Sequence, residues 1–97
     1  MAPAEIDVTG KKSPEGWLFE VRVQEGDTWT RHTVSLARKD YERLAPGACV
    51  EPGSLVRRSF VFLLEREPKE AILKSFDLTV ISRYFPEYEG EIRRQGT

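Results

Sequence analysis

The chain has 97 residues, 39% of them apolar, and its 15 basic and 16 acidic side chains leave a net charge of −1. That length holds one domain with a single core. The near-even charge excludes a global pull toward nucleic acid or an anionic membrane, and no apolar run approaches the roughly 20 residues of a membrane span.

Residues 1–16, rich in Pro, Gly, Lys and Glu, are expected to be mostly flexible. Within them "EIDV" can add a short edge strand with Ile6 and Val8 on one face. A single domain is expected over 17–94. In "WLFEVRVQ", Trp17, Phe19, Val21 and Val23 alternate with Leu18, Glu20, Arg22 and Gln24. That is the period of a half-buried strand. "EGDT" has turn chemistry, with Gly26 tolerant of positive φ, and "WTRHTVSL" resumes the alternation. The two runs predict a hairpin with a loop of about four residues.

"ARKDYERLA" changes period. Tyr41, Leu44 and Ala45 share a helical face, and Pro46-Gly47 stops it. "ACVEPGS" is a connector in which Cys49 and Val50 are expected to turn inward. Pro52 suits a first helical turn, and Ser54 is a candidate cap. "LVRRSFVFLLERE" carries the strongest helical stripe, with Val56, Phe60, Leu63 and Leu64 on it and Leu55 and Phe62 widening it. Pro68 ends it, and "KEAILKSF" predicts a short helix. Residues 77–85 carry two signals. Thr79, Val80 and Ile81 favour a strand, whereas Asp77 is a good cap and Leu78, Ile81 and Phe85 recur at helical spacing. The spacing favours a helix. "PEYEGEIRR" predicts a last helix with Tyr88 and Ile92 inward. Strands followed by helices give an α+β fold: an N-terminal antiparallel β-hairpin, with a possible third strand, and three to four helices packed on one face.

Residues for catalysis are sparse. His32 is the single histidine, on the strand face of Val34 and Leu36, and a pair with Cys49 would lack a third group to orient the base. One His and one Cys without short ligand spacing predict no metal site. The glycines are scattered and form no phosphate loop, so no cofactor is expected. Glu65, Glu67 and Glu70 in "EREPKE" read as solvated. One cysteine forms no intramolecular disulfide, and "MAPAEIDVTGKKSPEG" lacks the apolar core of a signal peptide. The expected location is the cytoplasm.

The charge is unevenly spread: residues 1–28 sum to −3, 29–58 to +3 and 59–97 to −1. The basic middle contains "TVSL", a helix, a turn and then "GSLVRRSFVFLL". Residues 31–66 in this order resemble the ribbon-helix-helix family of DNA-binding proteins. That resemblance implies a dimer whose paired strands enter the major groove. Arg31, Thr33 and Ser35 would then read base edges, His32, Val34 and Leu36 would face the core, and Arg57 and Arg58 would contact the backbone. The whole chain also resembles small conserved bacterial proteins, through "FLLEREP" and "RYFPEYE", a resemblance that implies a fold and no activity. The leading expectation is a non-enzymatic binding module whose partner is another protein. Trp29 beside the turn is its best contact residue, and strand addition along a sheet edge is one mode. A dimeric DNA-binding regulator is the alternative, and the oligomeric state is left open.

Overall fold

The computed structural model describes residues 4–45 and 50–95. The expected helix stop at Pro46-Gly47 and the inward Cys49 lie outside them. Four strands form one sheet among the described residues: β1 (Glu5–Ser13), β2 (Gly16–Glu25), β3 (Thr28–Ala37) and β4 (Ser75–Asp77), in the order β1-β2-β3-β4. The helices are α1 (Arg38–Leu44), α2 (Pro52–Leu64), α3 (Ile81–Tyr84) and α4 (Tyr88–Gln95). Short 3₁₀ turns cover Lys69–Ala71 and Leu78–Val80.

The fold is α+β, and three details of its sheet differ from the sequence reading. First, the stretch 1–16 supplies β1, nine residues long instead of four, antiparallel to β2 from Glu5↔Gln24 to Ser13↔Gly16. Second, the β2–β3 loop is two residues, because Glu25 pairs with Thr28. Gly26 takes φ +59° there, which glycine adopts without a Cβ penalty. Third, the sheet is mixed. The segment read as a helix in "KEAILKSF" is a single 3₁₀ turn followed by extended chain, and Ser75–Asp77 runs parallel to Thr33–Ser35. The outer backbone groups of β3 would otherwise be left unpaired. The Thr33 N–H donates to the Lys74 carbonyl at 2.7 Å.

The helices cover one face of the sheet. Phe19, Val21, Val23, Val34 and Leu36 point to it and are buried with Leu55, Val56, Phe60 and Phe62 of α2. Pro52 stands at the first turn of α2 as expected, but the cap position is Glu51, and Ser54 lies inside the helix. Tyr88 and Ile92 of α4 are buried, also as expected. The Tyr88 hydroxyl donates to Ser59 Oγ at 2.6 Å, and Ser59 donates to the Leu55 carbonyl at 2.8 Å. Burial pushes the Tyr88 phenol far above its ordinary value. The start of β2 is tight. A Cβ on Gly16 would lie 2.1 Å from the Leu36 carbonyl oxygen. Among the described residues no helix is long and apolar enough to cross a membrane.

Candidate protein-binding surfaces

Alternation along β3 sends Trp29, Arg31, Thr33 and Ser35 to the sheet face that the helices leave open. Trp29 is 49% exposed. Its ring lies 4.8 Å from the Arg22 guanidinium and 5.5 Å from that of Arg31, within cation–π range. Arg31 also pairs with Glu20 across the strands at 2.9 Å, an exposed contact of about 0–1 kcal/mol. Thr33 is exposed. The Ser35 hydroxyl donates to Asp77 Oδ2 at 2.8 Å. Burial works to raise the Asp77 carboxyl. The bonds from the Thr79 hydroxyl, the Thr79 N–H and Ser35 outweigh it and hold Asp77 below its ordinary value.

The structure separates the other two candidates from this group. Arg57, on α2, donates to the Ile6 carbonyl of β1 at 2.5 Å. Arg58 is half-buried on the same helix and is also engaged.

His32 faces the core with Val34 and Leu36, as its strand position implies, and is 1% exposed. Nδ1 lies 2.7 Å from the Leu73 carbonyl, so it is the ring nitrogen that carries the proton. Nε2 accepts from Thr30 Oγ1 at 2.9 Å, and the ring packs against Phe60. Burial lowers the His32 pKa, the Leu73 bond partly offsets this, and the Lys74 charge lowers it further. Beside His32 is a cleft whose floor includes Lys69, 4% exposed. The Lys69 ammonium reaches Glu70 at 2.6 Å, Thr28 Oγ1 at 2.7 Å and Glu25 at 3.3 Å. Glu70 foremost, and then Glu25, holds the ammonium above its ordinary value. Lys69 thus clasps the 69–74 segment to the β2–β3 turn. Among the described residues no group of three or more His, Cys, Asp or Glu side chains is placed to hold a metal ion.

A second concave surface was not foreseen. On the helix side of β4 lies an apolar groove of about 440 Å³, between the end of α2, the extended segment before β4, and α3. Its floor is made by Leu63, Ile72 and Ile81, which are buried. Its rim carries Leu73, 47% exposed, and Tyr84, 68% exposed. Glu67 lines it too, half-buried, and among the described residues its carboxylate has no hydrogen bond and no ion pair. Read as helical stripes, "AILKSF" and "VISRYF" look like core. No local signal separates them: Leu73 stands three residues before Phe76 and Tyr84 four after Val80, so both pass as members of a helical stripe.

Comparison of the chain with protein-family models, with curated proteins and with solved structures finds no significant match.

Proposed function

We propose that this is a cytoplasmic, non-enzymatic protein-binding module that holds an apolar, positively charged segment of another protein in the groove beside β4. The observation that carries the reading is the groove itself. It has the size and apolar lining of a ligand site, with a large apolar side chain exposed on each rim. The unpaired Glu67 carboxylate selects the sign of the occupant. A Lys or Arg placed over it gains an ion pair without breaking one inside the protein.

The open sheet face around Trp29 is the competing surface, because Trp and Arg dominate interface energetics. The ribbon-helix-helix reading, a dimeric regulator on DNA, draws on the outward Arg31 and Thr33. Against it stand the contacts already made by two of its readers, Arg31 to Glu20 and Ser35 to Asp77, and by its backbone-contact candidate Arg57 to Ile6. In addition, β4 runs along the β3 edge that a second ribbon strand would need.

Selection of random displayed peptides on the immobilised protein tests the groove. The expected winners combine large apolar residues with Lys or Arg. They should lose at least tenfold in affinity for Leu73→Asp and for Glu67→Lys, and retain it for Trp29→Ala. Winners that ignore the first two variants and fail on Trp29→Ala would move the site to the open face and overturn the groove.

A further inference from the structure

The sheet order makes β1 an edge strand. It is long for an edge, and its pairing with β2 runs through nine consecutive positions without a bulge. It contains no proline. Backbone groups of alternate residues point to the same side of a strand. The Arg57 bond to the Ile6 carbonyl marks the outward set, so Ile6, Val8, Gly10 and Lys12 present their N–H and C=O groups to the free edge. Arg57 takes one lone pair of the Ile6 oxygen and leaves the other for a ladder bond.

The charges along this strand have a direction. Glu5 and Asp7 lie toward its start, Lys11 and Lys12 toward its end. Glu5, Asp7, Thr9 and Lys11 all point to the open sheet face and are exposed. Parallel pairing of two such strands sets like charge on like. Antiparallel pairing sets acid on base. Full overlap of residues 5–13 puts Thr9 on the two-fold axis, Asp7 opposite the partner's Lys11, and Lys11 opposite the partner's Asp7. Opposite charges at directly facing positions stabilise a ladder, and like charges there destabilise it.

From this we infer that β1 is the interface for a second copy of this chain, which joins antiparallel to make one continuous eight-stranded sheet across a two-fold axis. The partner is specified by the strand itself, since the N-terminal half is complementary to the C-terminal half and the contact is isologous. The groove beside β4 lies at the opposite edge and stays free in the dimer, so this inference stands apart from the function proposed above.

Light scattering on a sizing column, over a range of concentrations, tests it with four chains. The wild type should reach twice the chain mass. Asp7→Lys and Lys11→Asp should each be monomeric, because each sets like charges opposite one another twice. Both side chains are exposed, so circular dichroism should be unchanged. An equimolar mixture of the two variants should return to the dimer mass as a heterodimer, and the double variant should return alone. A wild type that stays at the monomer mass at every concentration overturns the proposal. So does a dimer that the single variants leave intact, or a mixture that stays monomeric.

Discussion

At the scale of the residue, His32 shows how one ring is placed and tuned. Strand alternation puts it beside Val34 and Leu36, and that much is legible in the sequence. Its partner Leu73 is 41 residues away and belongs to a segment whose pattern reads as helix, so the environment of the ring is not. That environment has a consequence for pH. The folded state holds the ring neutral and lowers its pKa below the ordinary 6.5, so at mildly acidic pH the unfolded chain binds more protons than the folded one. Stability from this group is complete above pH 6.5 and falls as the pH drops below it toward the folded pKa. The carboxylates with shifted values, Glu70, Asp77 and Glu89, are lowered from ordinary values near 4 and lose their contribution at lower pH. A melting temperature that falls between pH 7 and pH 5 therefore reports on His32, and His32→Gln should flatten the curve there. An equally steep curve in the variant would assign the effect elsewhere.

At the scale of the element, local pattern accounts for β2, β3, α1, α2 and α4, because each alternates or repeats with the period of its own structure. Pro52 and the buried Tyr88 and Ile92 follow from the same logic. The sequence shows only the first four residues of β1, because Thr9 to Ser13 carry no apolar alternation; pairing with β2 extends the strand to Ser13. β4 was missed for a related reason. Three residues have no period, and what makes them a strand is the vacant edge of β3. The junction of β2, β3 and α1 depends on a missing side chain. A Cβ on Gly16 would run into the Leu36 carbonyl oxygen, the Ala37 α-carbon and the Arg38 nitrogen, which are backbone atoms that cannot turn aside. Gly16→Ala should cost about 1–3 kcal/mol or more, as overpacking does. Denaturant titration reads this directly, and a variant within 0.5 kcal/mol of wild type, the usual range of a neutral surface change, would mean the junction yields.

At the scale of the molecule, the candidate surfaces divide by how local their causes are. The open face with Trp29 follows from alternation and was legible. The groove is assembled from α2, the pre-β4 segment and α3, and no single stretch announces it. The three antiparallel strands close through short turns. β4 reaches β3 only after a connection of about 40 residues that includes α1 and α2, and closing it in the unfolded chain costs roughly 3 kcal/mol of entropy on the (3/2)RT ln n estimate. Two hierarchies of opening follow. Native-state hydrogen exchange should show the Phe76 and Thr33 amides opening at lower free energy than those of Val21 and Val23, and a single common value would show one indivisible unit. The mixed sheet described above thus has a consequence for recognition. The wall of the groove belongs to the part that detaches first, so an occupant seated there ties down a hinged flank. Its affinity is linked to the protein's own breathing, and a mutation far from the groove that loosens β4 weakens binding without touching the ligand.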